Sequence, residues 1–173
     1  MKAHNGMRPH DIVVLLKIII QEENWLSKDI AWALKISPSE ISESLSRSSR
    51  SGLLSPDKRK VMKSAFLSFL QFGLRYVFPA EPGPIMRGLP TAHSAGILKE
   101  YLVSKEVYVW PAKIGKARGQ SIAPLYPGQI EAVLLDPKLY DMLALVDGMR
   151  IGRVRECEKS IELLAEIFDE AYA

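Results

Sequence analysis

Apolar residues recur at helical spacing through the first half of the chain. Ile12, Leu15 and Ile19, for example, fall on one stripe of an α-helix. The helices that this spacing predicts cover residues 11–23, 26–34, 37–49 and 56–73. The last of the four carries apolar residues around more than one face, so we expect it to be buried between two neighbours.

Proline and glycine change the pattern after residue 79. They recur through residues 79–90 and predict a linker or an ordered crossing loop. Residues 107–110 and 120–125 have the short apolar composition of strands, and the glycine-bounded segment 115–119 lies between them. We therefore expect a small β-hairpin, followed by helices over residues 137–168.

Capping residues define the start and the end of the predicted helix over residues 37–49. Ser37 is a good N-cap, Pro38 suits the first helical position, and Glu40 stands three residues after the cap. This arrangement predicts a capping box at the start of the helix. Gly52 ends that helix, and Leu53 and Leu54 read as a short extended piece.

The same segment has the spacing of a helix-turn-helix over residues 26–54. Such a unit needs a small residue where the helices cross, a tight turn, and apolar anchors on the second helix. The positions that supply these parts are Ala31 (crossing), Ile36 (turn), Ser37 (cap), and Ile41 and Leu45 (anchors). An αα-hairpin that only packs within a helical domain is the alternative interpretation.

This spacing resembles that of the winged helix-turn-helix transcription regulators, including the MarR-like group. The resemblance covers residues 10–54 and implies sequence-specific DNA binding and transcription regulation. Lys35 departs from it, because that family often has glycine there and the turn must then accept a strained residue. A wing, which would be a two-stranded hairpin after Leu54, is not predicted, since a helix is expected from Pro56. We therefore expect a wingless unit of four helices.

The outward face of the second helix would then read double-stranded DNA. Serine hydroxyls bond phosphates or bases, and a glutamate accepts from a cytosine amino group. The basic residues near residues 47–60 would lie close to phosphates. The predicted DNA-binding residues are Ser37, Ser39, Glu40, Ser42, Glu43, Ser46, Arg47, Arg50, Lys58, Arg59 and Lys60. Of these, Glu40 would also be engaged by the capping box.

A weaker resemblance links residues 87–93 and 136–140 to antitoxin-like regulators paired with nucleotidyltransferase toxins. It implies an alternative function, in which this chain is an interaction protein that binds and masks a partner enzyme. The surface used for masking would be the basic middle of the chain or its acidic C-terminal helices.

Charge is unevenly distributed along the 173 residues. The net charge of +3 combines a basic stretch over residues 1–130 with an acidic one over residues 131–173, whose net charge is −5. A basic body suits a polyanionic partner such as DNA. The acidic C-terminal region is unsuited to touch DNA.

Residue patterns for catalysis or metal binding are missing from the sequence. His4, His10 and His93 have no metal-ligand spacing, and residues 115–119 lack the pattern of a P-loop. Cys157 stands between glutamates, which disfavour the thiolate, so it is interpreted as structural. We expect a protein that is not an enzyme, with no cofactor and no metal.

No apolar run is long enough to span a membrane. The best one, Ile12–Ile20, falls well short of the roughly 20 residues needed and contains Lys17. The first residues also lack the features of a signal peptide. A cytoplasmic protein without a membrane partner is expected.

The expected fold is mainly α (α+β), in three regions: a helix-turn-helix domain (1–80), a Pro/Gly-rich linker with a small β-hairpin (81–130), and a C-terminal helical region for dimerisation or partner binding (131–173). The last region carries more apolar residues than a lone helix can cover. These residues are Leu139, Leu143, Val146, Val154, Ile161, Leu164 and Phe168. They predict a homodimer interface, and folding back onto the N-terminal domain of the same chain is the alternative.

Overall fold

The computed structural model describes residues 5–170 and confirms a mainly α (α+β) fold. The helices of this part of the chain are α1 (Pro9–Gln21), α2 (Ser27–Leu34), α3 (Pro38–Arg50), α4 (Lys63–Phe72), α5 (Leu74–Val77), α6 (Gly96–Lys99), α7 (Gln129–Leu135), α8 (Pro137–Ile151) and α9 (Val154–Glu170). The strands are β1 (Ile85–Pro90), β2 (Tyr108–Pro111) and β3 (Ala117–Ser121). None of the helices in this range is both long and apolar enough to cross a membrane.

Helix α1 is buried along most of its length. Residues 11–19 are all buried, including Asp11 and Lys17, because α3 packs on one part of the helix and α8 on another. Pro9 occupies the first helical position, and the main-chain N–H of Arg8 donates to the Asp11 carboxylate (2.8 Å). Helix α1 is thus the central support of the N-terminal unit.

The predicted helix at Pro56 is wrong, and a short hairpin stands in its place. Leu54 bridges Val61 in antiparallel fashion, and the main-chain N–H of Ser55 donates to the Lys60 carbonyl (2.8 Å). The Ser55 hydroxyl, which the sequence presents as a helix cap, instead accepts from the main-chain N–H groups of Arg59 (3.2 Å) and Lys60 (2.9 Å) across the turn. This wing-like hairpin of residues 54–61 is built around an isolated bridge and contains no pair of strands, so the absence of a two-stranded wing stays a prediction.

Helix α4 begins only at Lys63 and has one buried face. Phe66 and Leu70 are buried against α9, with the Phe66 and Phe168 rings stacked 5.8 Å apart between centroids. Phe72 on the other side is 69% exposed. The predicted burial between two neighbours is therefore wrong.

The three strands close into a small barrel rather than a hairpin. Strand β1 pairs antiparallel with both β2 and β3, so β2 and β3 run parallel to each other, in contrast to the predicted hairpin. The β2–β3 connection passes directly over β1, where a Cβ on Gly115 would lie 2.2 Å from the main-chain carbonyl carbon of Gly88. Only glycine fits such a close approach of two backbones.

Asp147 of α8 attaches the barrel to the helices. Its fully buried carboxylate accepts from the Thr91 hydroxyl (2.7 Å), the Trp110 indole N–H (2.6 Å) and the Arg150 guanidinium (3.0 Å). Burial raises the pKa of Asp147, and these three donors oppose that rise. The strand residue Trp110 and helix α8 are thereby fixed to each other.

Helix α8 is the centre of the C-terminal half. Its residues from Leu139 to Arg150 are nearly all buried, because α1, α5, α6, α7 and α9 surround it. Of the apolar residues from which a dimer interface was predicted, Leu139, Leu143, Val146, Leu164 and Phe168 are buried within the chain, and only Val154 is largely exposed. Most of these residues are therefore already covered, and the fold-back alternative describes these helices.

Two polar contacts join the N-terminal unit to the C-terminal half of the chain. The Lys17 ammonium donates to the Asp136 carboxylate (2.6 Å), and Asp136 also caps α8 by accepting from the Leu139 N–H (3.1 Å). The Tyr126 hydroxyl donates to the Leu34 carbonyl at the end of α2 (2.7 Å). These contacts fix the orientation of α1 and α2, and thereby of the unit formed by α2 and α3.

Candidate nucleic-acid interface

Helices α2 and α3 are joined by the tight turn that the sequence predicts. Lys35 ends α2 in the left-handed region (φ 58°), and the Ile36 N–H donates to the Ala31 carbonyl (3.1 Å). This is the conformation that favours glycine, and Lys35 adopts it with its ammonium 4.4 Å from the centre of the Trp32 ring. Ile41 and Leu45 are buried, as predicted for the anchors of the second helix.

The capping box at the start of α3 is only half formed. The Ser37 hydroxyl accepts from the Glu40 N–H (3.3 Å), as expected. The Glu40 carboxylate, however, accepts from Arg47 (2.5 Å) and hydrogen-bonds His10 (2.8 Å) instead of returning to Ser37. Burial acts to raise the pKa of Glu40, but the hydrogen bonds and charges of Arg47 and His10 outweigh it and lower that pKa. Glu40 is thus engaged by His10 of α1 and Arg47 of α3, and its prediction as a base-reading residue is not carried into the proposed interface.

Arg47 does not lie among the exposed cations, because α1 engages its guanidinium, and its prediction as a phosphate contact is not carried into the proposed interface. Its side chain is 7% exposed, and two of its nitrogens donate to the two oxygens of the fully buried Asp11 carboxylate, each at 2.8 Å. The hydrogen bond to Asp11 is also the main reason that the pKa of Arg47 is raised. The bidentate pair fixes α3 against α1.

The three basic residues of the wing-like hairpin have different surroundings. The Arg59 guanidinium lies 4.3 Å from the centre of the Trp25 ring and donates to the Trp25 carbonyl (2.9 Å), so it secures the hairpin to the segment between α1 and α2. The Lys60 ammonium is 4.0 Å from the Glu23 carboxylate. Lys58 alone reaches α3, where its ammonium donates to the Ser46 hydroxyl (2.9 Å). The interface assignment is therefore retained for Lys58 and not for Arg59 or Lys60.

The outward face of α3 is polar and open. Ser37, Ser39, Ser42, Glu43 and Arg50 are exposed, and Ser46 is half-buried beside the hairpin. None of these side chains is large and apolar, in contrast to the face of α3 that carries Ile41 and Leu45. The small serines leave room for a ligand to approach the helix closely.

A groove of about 340 Å³ runs along this face. Its lining joins α3 to the segment before α1, with Asn5 and Arg8 opposite Ser42, Glu43 and Arg50. Arg8 was not predicted as a site residue. The signal that could have identified it is Pro9, which starts α1 and thereby places Arg8 at the helix end that meets α3.

The charges around the groove are suited to an anionic ligand that also presents hydrogen-bond donors. Arg8, Arg50 and Lys58 supply positive charge at its edges, and Arg8 approaches Glu40 to 3.4 Å. The Glu43 carboxylate is 64% exposed and lies 3.6 Å from Arg47. A nucleic-acid duplex presents both features, phosphates along its backbones and amino groups in its major groove.

Comparisons with protein-family models, with curated proteins and with solved structures find no match to this chain. Its function is therefore inferred from its own residues. The feature with the most specific geometry is the α2–α3 unit, whose turn, anchors and exposed polar face lie together in one place.

Proposed function

We propose that this protein binds duplex DNA sequence-specifically through α3 and regulates transcription. The observation that carries this proposal is the exposed polar face of α3, which is supported from behind by the buried Arg47–Asp11 pair. A recognition helix must present its side chains from a fixed position, and the pair provides that rigidity.

Sequence reading is assigned to the first two turns of α3. The N-terminal residues of a recognition helix are the ones that contact base edges. Ser39, Ser42 and Glu43 lie there, are exposed, and point away from the anchors Ile41 and Leu45. Glu43 is the strongest candidate, because its carboxylate accepts from a cytosine amino group but repels a phosphate.

Phosphate binding is assigned to Arg50 and Lys58, with Arg8 at the opposite side of the groove. Replacing Arg50 and Lys58 together by alanine should weaken binding to every duplex sequence. It should also reduce the slope of log affinity against log salt by about 0.9 for each phosphate that is no longer neutralised. Fluorescence anisotropy over a series of salt concentrations measures both quantities.

The matched control for that experiment is K138A/R155A, which removes the same charge from two exposed residues of the acidic C-terminal region. The control should leave the salt slope unchanged. Equal slopes for R50A/K58A and the parent protein would remove these two residues from the interface.

A homodimer remains part of the proposal, but with another interface. Helix-turn-helix proteins commonly read two half-sites through a two-fold axis. The largest exposed apolar side chains of α4 and α5 are Phe72, Tyr76 and Val77, which are 69%, 78% and 52% exposed. We assign dimerisation to this face, since α8 and α9 bury most of their apolar residues within the chain.

A second candidate function, the masking of a partner enzyme, is favoured by another exposed apolar group. Trp32 of α2 and Leu135 of α7 are 71% and 67% exposed and border a groove of about 400 Å³. Light scattering and duplex titration together distinguish the two functions. A monomer that binds no duplex would favour the masking function over DNA binding.

A further inference from the structure

The small barrel carries a second basic groove, of about 750 Å³, outside the helix-turn-helix. The side chains that line it are Ile85, Met86, Arg87, Lys113 and Arg118, together with the segment Pro111–Ala112. Three of these residues are cationic and none is acidic. Such a lining favours an anionic ligand that also presents an apolar surface next to its charged groups.

Two of the cations stand directly opposite each other. Arg87 of β1 and Arg118 of β3 are partners in the antiparallel register, and both are exposed. Like charges at opposed positions of a sheet destabilise it unless an anion lies between them. Among the described residues, neither guanidinium nor the Lys113 ammonium has a carboxylate within ion-pair distance.

The backbone around these cations is fixed. The Ala112 N–H donates to the Arg87 carbonyl (3.1 Å), and Gly115 lies against the main chain of Gly88. The segment that carries Lys113 is thereby held over the strand that carries Arg87. Two adjacent guanidiniums on a rigid backbone match the paired oxygens of a phosphate group.

We propose that this groove binds the phosphates of a nucleic-acid backbone, as a second binding surface in addition to the one formed by α3. The inference rests on the proposed function, which brings a polyanion to the protein. Among the described residues no aromatic side chain lines the groove, so the stacking of unpaired bases is not supported and the duplex backbone is the assigned ligand.

Replacement of Arg87 and Arg118 by alanine tests the assignment on the full chain. The double variant should bind every duplex more weakly while keeping the sequence preference of the parent. Because two fewer phosphates are neutralised, the fall in affinity between about 50 and 200 mM salt should be roughly tenfold smaller. K138A/R155A again serves as the control of equal charge, and its salt dependence should equal that of the parent.

Two further probes separate the failure of this inference from the failure of the proposed function. Duplex binding with an unchanged salt dependence in R87A/R118A overturns the assignment of the groove as a phosphate-binding surface. It leaves the proposal of DNA binding by α3 in place. Inorganic pyrophosphate, followed by NMR, should shift the amide signals of residues 85–88 and 112–118, and not those of R87A/R118A. The absence of these shifts also overturns the assignment of the groove as a phosphate-binding surface, whatever the result with DNA. Binding of polyglutamate without binding of pyrophosphate or duplex would identify an acidic protein partner and overturn it as well.

Discussion

Replacing Arg47 by alanine should lower the free energy of unfolding by about 3–5 kcal/mol, because the change leaves a buried carboxylate without its partner. Asp11 is fully buried and receives two hydrogen bonds from Arg47. Glu40 would also lose the donor that holds it against α1. Urea denaturation followed by circular dichroism measures the change.

The control for this experiment is Arg50→Ala, three residues further along the same helix. Arg50 is exposed, so its replacement should change the free energy of unfolding by no more than about 0.5 kcal/mol. Comparable small losses in the two variants would contradict the bidentate pair between α1 and α3.

Replacing Asp147 by alanine should also lower the free energy of unfolding by about 3–5 kcal/mol. The Arg150 guanidinium is 6% exposed and would remain buried opposite the deleted carboxylate. The indole N–H of Trp110 would lose its acceptor in the core. Because Trp110 belongs to the barrel and Asp147 to α8, the near-ultraviolet circular dichroism of the tryptophans should change together with the stability.

Asp141 on the same helix provides the comparison. It is half-buried, and burial raises the pKa of its carboxyl, so ionisation of this carboxyl does not stabilise the folded state. Asp141→Ala should therefore lower the free energy of unfolding far less than Asp147→Ala does. Equal losses would show that the Asp147 network does not hold the barrel to α8.

The pair of helices α2 and α3 and the tight turn between them were predictable because their signals are local. The cap at Ser37, the proline that follows it and the small residue at Ala31 each act within one or two turns of helix. The same local reasoning failed at Ser55-Pro56-Asp57, because a serine followed by proline and aspartate serves a helix cap and a tight turn equally well. Only the pairing of Leu54 with Val61 decides between them.

The role of Arg47 could not be predicted from spacing. It flanks the buried positions of α3, and an arginine there reads as an exposed cation. Its partner Asp11 lies 36 residues earlier, at a position where a carboxylate is already explained by the helix dipole. Recognising the pair requires knowing that α1 and α3 are neighbours.

The barrel was mispredicted for a related reason. Two strands separated by a glycine-rich segment ordinarily form a hairpin, and this composition gave no sign of parallel pairing. The parallel arrangement depends on the passage of Gly115 over Gly88, two residues that are far apart in the chain. The cross-strand pair of Arg87 and Arg118 becomes visible only once that register is known.

Selection of binding sites from a random duplex library, with the full chain and with Glu43→Ala, tests DNA reading by α3 most directly. The parent protein should enrich two related half-sites whose centres are about 34–36 Å apart, as a two-fold dimer requires. Glu43→Ala should relax the preference at one base pair of each half-site by about 1–3 kcal/mol. Enrichment of no sequence by the parent, or of the same sequence with undiminished preference by the variant, would contradict the assignment of α3 as a recognition helix.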